Sequence, residues 1–244
     1  MSNFRARREP GGEMAADAGE ALPRLRSLAI FAELPEDILA SIAQQAAFID
    51  AVDGTVLFRQ GELPASVFIL LEGQVVLEAI ASEGVKTIVE ILSPVEVFQL
   101  APSLTDAPCL TSARVLSRAR LLAIPAAFLR QLIEDRPRLA VTMLTSVSRH
   151  YRKLLHQVKD LKLRSAAQRL GCFILSLGRE QDFPERIKLP FDKQHLAARL
   201  GTTPENLSRA FATLRGHGVA TSGSTVVVTD PLRLAAFSVP DDIV

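Results

Sequence analysis

An α+β chain is predicted from two changes of period along 244 residues. Short apolar runs recur at roughly ten-residue intervals from Phe48 to Ile124, the spacing of short strands in an all-β unit. A 4-3 spacing takes over from Ala140 to Leu161, and beyond it two short helices flank a glycine turn and precede a hairpin. The chain divides accordingly into a disordered tail at 1–21, a β domain at 22–125, a central helix at 126–162 and a winged helix-turn-helix domain at 163–240.

The first twenty residues carry charge and glycine but no apolar core of a secretory signal. They bury too little to offset their ordering entropy, which predicts disorder. No apolar run reaches the roughly 18 residues of a membrane span, so a cytoplasmic protein with no membrane partner is expected. Hydrophobic residues make up 48% of the chain and aromatics 5%, so two cores must be filled by Leu, Val, Ile and Ala. Cys109 and Cys172 stand far apart. They make no disulfide framework, zinc site or iron–sulfur cluster, leaving buried free thiols or a redox pair.

Net charge is +1, but from Glu20 to Ser148 ten basic residues face fifteen acidic ones, and from Arg149 onward fifteen face nine. A basic C-terminal part suits a polyanionic partner.

Leu22–Ala47 reads as short helices: SLAIFAEL, then a start at Pro35 followed by an apolar stripe of Ile38, Leu39, Ile42 and Ala46. The runs TVLFRQ, SVFILLEG, QVVLEAI, KTIVEIL, SARVLS and ARLLAIP follow, with turn signals between them at Asp53-Gly54, Gly61, Glu72-Gly73, Glu83-Gly84 and Ser93-Pro94. Next come Ala140, Leu144, Val147, Tyr151, Leu154, Val158 and Leu161, a heptad seam that favours dimerisation through a coiled coil. The competing reading packs the same stripe on its own domain. A second amphipathic helix, Leu163–Leu177, has Gly178 at its C-terminal cap.

In IKLPFDKQHLAARLGTTPENLSRAFATLRGHGVATSGSTVVVTD, Asp192 caps a helix over Lys193–Leu200 and Gly201 makes the turn. Thr203 and Pro204 then begin a helix that runs to Arg215. Its buried face is Leu207, Ala210, Phe211 and Leu214; Glu205, Asn206, Ser208 and Arg209 face outward. A hairpin wing around Ser222-Gly223-Ser224 completes the unit.

Gly61-Glu62, Leu71-Glu72-Gly73, LLAIP, LKLRSAAQRL, LPFDKQHLAARLG and PENLSRAF together resemble the Crp/Fnr family of bacterial transcription regulators, over about residues 25–237. Within it they look most like the nitrogen-oxide-responsive branch of Dnr- and NnrR-like regulators. The resemblance implies a double-stranded β-helix of the cyclic-nucleotide-binding type (a β-roll), a homodimer, RNA polymerase as partner and a palindromic site on double-stranded DNA. Glu205, Ser208 and Arg209 stand at the family's base-reading triplet. Arg209 suits a guanine and Glu205 a cytosine. Alternatively, Glu205 closes a capping box with Thr202, and Arg209 is a phosphate contact or surface cation. Lys193, Arg199, Thr203, Asn206, Arg215 and His217 are candidate backbone contacts. Catabolite-activator relatives carry Arg where this chain has Pro204, which favours a TTGAT-like half-site over a TGTGA-like one.

The same resemblance argues against cAMP. Gln99 and Leu100 replace the Gly-Glu pair that would hold ribose, and Thr111-Ser112 replaces the Arg-Ser pair that would hold phosphate, so no guanidinium fork remains. Leu154 and Leu155 stand where hydroxyls would meet the base. Phe98, Gln99, Thr111, Ser112, His150 and Leu155 are the candidate effector-pocket residues, with nitric oxide as effector and haem as its carrier. All four histidines follow residue 149, so haem would draw on Cys109, a Met, Tyr151 or His150. No catalytic triad, phosphate-binding glycine loop or metal cluster is visible, so the chain is not expected to be an enzyme. The rival reading is a ligand-sensing β-roll that regulates a protein partner.

Overall fold

A computed structural model describes residues 13–15, 18–28, 30–31, 34–81, 84, 86–181, 186–189 and 192–239. The expected disorder of residues 1–12 lies outside these. The chain forms two compact units, Met1–His150 and Tyr151–Val244.

The first unit opens with strand β1 (Glu13–Ala15) and helix α1 (Ala18–Ser27), so ordered structure begins before residue 22. Ala21 is fully buried and the Glu20 carboxylate accepts from Arg120 at 3.0 Å, contacts that the tail's composition does not reveal. The described residues of SLAIFAEL after its serine do not continue a helix. α1 ends at its serine, and Leu28, Ile30 and Phe31 are buried on short turns. Helix α2 (Glu36–Gln45) begins after Pro35 as expected.

Strands β2 (Ala47–Ala51), β3 (Val56–Phe58), β4 (Ser66–Ile80), β5 (Lys86–Leu92), β6 (Glu96–Phe98) and β7 (Ser112–Pro125) build one antiparallel sheet in the order β1-β2-β7-β4-β5, with β3 on β7 and β6 on β4. The turn expected at Glu72-Gly73 is instead a bend inside the 15-residue β4. SARVLS and ARLLAIP likewise join into the 14-residue β7. These two strands pair along most of their length, with register shifts between Leu70 and Val75 that let the sheet fold over. Their apolar runs are continuous because both faces are buried. Val67, Ile69, Leu122 and Ile124 face a core shared with α1 and α2, while Phe68, Leu70, Leu121 and Ala123 face the inside of the roll. Phe58, Phe68 and Phe98 stack there with ring centroids 5.4–6.3 Å apart.

The helix expected over 126–162 is two helices, α4 (Ala126–Asp135) and α5 (Pro137–Leu163), after the short α3 (Leu100–Thr105). Pro137 offers no amide hydrogen and disfavours a helical residue before it; Arg136 accordingly sits at φ −134°, ψ 77°.

In the second unit, α6 (Ala166–Glu180) starts at a capping box between Ser165 and Gln168 and carries Gly178 inside its last turn rather than at its cap. Strand β8 (Ile187–Lys188), helices α7 (Lys193–Arg199) and α8 (Pro204–Arg215), strands β9 (Val219–Ser222) and β10 (Thr225–Val228), and helix α9 (Pro231–Ser238) follow, with sheet order β8-β10-β9. Leu170, Ile174, Leu196, Leu207, Leu214, Val226 and Leu234 are buried in this unit. No helix among the described residues is long and apolar enough to cross a membrane.

Candidate nucleic-acid interface

Two helix starts orient the interface. The Asp192 carboxylate accepts from the His195 backbone N–H at 2.8 Å, a bond that depresses its pKa, and the His195 ring Nδ1 lies 2.8 Å from the same oxygen. The Thr203 hydroxyl accepts from the Asn206 N–H at 3.2 Å, and Pro204 takes the first helical position. With Leu207, Ala210, Phe211 and Leu214 buried, the 3.6-residue period turns Glu205, Asn206, Ser208 and Arg209 to solvent.

Each exposed group has a local partner. The Glu205 carboxylate accepts from its own backbone N–H and from the Thr203 side chain, which lowers its pKa; the capping box with Thr202 is not formed, because Thr203 is the cap. The Ser208 hydroxyl donates to the Pro204 carbonyl at 3.0 Å, and Arg209 Nη1 lies 3.5 Å from Asn206 Oδ1. The arrangement is anchored at its base and open at its tips: a cationic fork, a carboxylate and a hydroxyl on one face of one helix.

Lys193 and Arg215 line a cleft of about 400 Å³ between α7, α8 and the hairpin tip at Gly223-Ser224. Arg199 and His217 are more engaged. The Arg199 guanidinium lies 5.7 Å from the Phe173 ring centroid, and the His217 ring stacks on Phe237 at 3.9 Å. Both therefore take part in packing.

The seam on α5 is largely exposed. Leu144 is 64% exposed, Tyr151 63%, Val158 47% and Leu161 50%, while Val147 packs partly against its own unit's core. Leu144 and Val147 also border an apolar groove of about 510 Å³ lined by Leu104, Ile133 and Met143, with Arg130 among its polar groups.

Several of the candidate effector residues already have partners. Phe98 is inside the aromatic trio. Gln99 caps α3 at φ 65°, and its amide donates to the Cys109 sulfur at 2.6 Å. The Ser112 hydroxyl accepts from the Gln60 N–H at 2.9 Å, and Thr111 beside it is half-buried. His150 and Leu155 lie on α5 with exposed side chains. Burial raises the Cys109 thiol's pKa. Of the residues expected to hold haem, the Cys109 sulfur accepts from Gln99 and the His150 side chain is exposed on α5, so neither stands free in a buried pocket.

Arg169 is a further residue of this region. Its guanidinium holds the carbonyls of the helix-turn-helix turn, a contact between residues 31 and 32 positions apart that no local pattern signals.

Residues 50–136 match the family described as cyclic nucleotide-binding domain, and residues 168–237 the Crp-like helix-turn-helix domain. The chain is similar to the transcriptional activatory protein AadR of Rhodopseudomonas palustris, 27% identical over 219 residues that cover 88% of this chain and 90% of AadR. It is also similar to the CRP-like cAMP-activated global transcriptional regulator of Mycobacterium tuberculosis, 23% identical over 211 residues, 84% of this chain and 94% of that one. The structure of FixK2 from Bradyrhizobium japonicum shares the fold with a TM-score of 0.68 at 19% identity, over 82% of this chain and 99% of FixK2.

Proposed function

Because the chain is a DNA-binding transcription regulator of the Crp/Fnr family, we propose that it acts as a homodimer reading a palindromic, TTGAT-like site through Glu205, Ser208 and Arg209 of each α8. The observation that carries this is the exposed face of α8, where those three tips stand outward over a buried, capped helix. Arg209 would place its fork on guanine O6 and N7, and Glu205 would accept from cytosine N4. Lys193 and Arg215, across the cleft from the hairpin tip, suit the phosphate backbone. Dimerisation is supported by the exposed α5 seam and the apolar groove that continues from Leu144 and Val147. RNA polymerase is the further partner that family membership suggests.

The effector we propose is nitric oxide or a related nitrogen oxide, as in the Dnr- and NnrR-like branch, and not cAMP. Against cAMP, the Gln99 amide already donates to Cys109, the Ser112 hydroxyl accepts from Gln60, and Phe58, Phe68 and Phe98 pack inside the roll. Selection of bound duplexes from a random pool tests the site. Enrichment of inverted TTGAT-like repeats supports the reading, and enrichment of TGTGA-like repeats overturns it.

A further inference from the structure

The Ala197 and Ala198 carbonyls at the end of α7 accept from the Thr202 and Gly201 N–H groups, and the next two carbonyls, of Leu200 and Gly201, lie in the turn that sets the angle of α8. Arg169, on the first turn of α6, donates to both. Its Nε donates to the Leu200 carbonyl at 2.8 Å and its Nη2 to the Gly201 carbonyl at 3.3 Å. Its Nη1 points to a different segment and donates to the Arg164 carbonyl at 2.6 Å, one residue beyond the end of α5. The Arg164 guanidinium pairs with Asp160, a turn back on α5, and donates to the Val239 carbonyl at 2.7 Å at the end of α9. Leu161 of α5 lies against Gly201: a Cβ added there would be 3.6 Å from its Cγ and would overlap its Cδ2.

We infer that Arg169 is a positioning residue for DNA recognition, a strut that locks the helix-turn-helix turn to the end of α5 so that the placement of α5 dictates the placement of α8. This rests on the reading of the chain as a dimer on a palindrome. The chemistry favours arginine specifically. A planar guanidinium presents donors along fixed directions, so three of them reach carbonyls of two separate segments at once; an ammonium on a flexible stem reaches fewer. Its positive charge also faces the C-terminal end of α7, where the helix dipole is negative. Half-buried, Arg169 spends these donors inside the unit, so its effect on DNA reaches the duplex through α8.

The test uses the full chain and duplexes with identical TTGAT half-sites, their centres roughly one helical turn (about 10 base pairs) apart or one base pair nearer or farther. Wild type should prefer one spacing. Arg169→Gln should weaken binding at that spacing by roughly tenfold, the size typical of a coupling contact, and weaken the other two less, so that the preference collapses. Discrimination at the base pair read by Arg209 should be unchanged. Arg169→Lys, which keeps the charge without the fork, should fail to restore the preference; it also serves as the variant read out if circular dichroism shows that Arg169→Gln does not fold. A variant that weakens all three duplexes by one factor, or that keeps the wild-type preference, overturns the strut while leaving the palindrome reading intact. A wild type indifferent to spacing overturns both.

Discussion

A Cβ placed on Gly73 would stand 2.7 Å from the Cα of Ala119 and overlap the Arg118 carbonyl oxygen, at a residue whose φ is +83°. Here β4 and β7 approach closely where the sheet bends, and only glycine satisfies both the space and the dihedral. Gly73→Ala should therefore cost more than about 2 kcal/mol, the left-handed backbone alone accounting for roughly 1–2 kcal/mol. Urea unfolding followed by circular dichroism measures it. A loss below 0.5 kcal/mol, within the range of an ordinary surface substitution, would show that the strands part without cost.

Arg209→Ala should cost about 1–3 kcal/mol at one base pair of each half-site and relax the preference there. Lys193→Ala should weaken all sequences alike and lower the salt slope by about one. Fluorescence anisotropy on a panel of single-base variants separates these outcomes. Uniform weakening by Arg209→Ala would make it a phosphate contact.

Assembly is best probed at Leu154 and Val158, which are exposed on α5, rather than at Val147, which also packs into its own unit. Paired Asp substitutions at 154 and 158 place like charges on the proposed seam, an unfavourable burial without partners. The variant should sediment as a folded monomer and lose palindrome binding. A dimer that persists would assign dimerisation to another surface.

Asp192 carries the α7 cap. Its pKa is depressed from 3.8 chiefly by the hydrogen bond from the His195 backbone, so the stability it contributes is present above that value and is lost as pH falls through the lower folded one. Asp192→Ala should lower stability by about 1 kcal/mol at neutral pH. The gap between variant and wild type should narrow as pH falls below 3.8 and close as it passes through the lower folded value. Asp192→Asn, which keeps an acceptor oxygen, should remove most of the pH dependence and little of the stability. Thermal melts across the acid range read all three.

Effector identity separates by titration. Cyclic AMP should leave duplex affinity unchanged, whereas nitric oxide, added anaerobically to protein from nitric-oxide-free cells, should raise it. An effector shifts affinity only so far as it binds two conformations unequally, so a change of about tenfold requires about 1.4 kcal/mol of difference. A response to cyclic AMP alone would reverse the assignment.

Much of the proposed DNA-facing surface was legible in the sequence, because caps and helix faces are local. Asp192, Thr203 and Pro204 announce two helix starts, and the spacing of Leu207, Ala210, Phe211 and Leu214 dictates which residues face outward. The roll was legible only as a set of short strands. Glycine at 73 reads as a turn in sequence, and it became a bend because Arg118, 45 positions away, crosses there. Likewise Glu20 belongs to the first unit through Arg120, Gln99 is spent on Cys109, and Arg169 grips Leu200 and Gly201. By itself the sequence determined the order of a strand-rich part, a long helix and a helix-turn-helix with its hairpin, and the chemistry exposed on α8, all consequences of period and capping over a few residues. Tertiary structure alone decided which polar groups were already satisfied and which backbones met, because those depend on contacts between distant segments that no local pattern encodes.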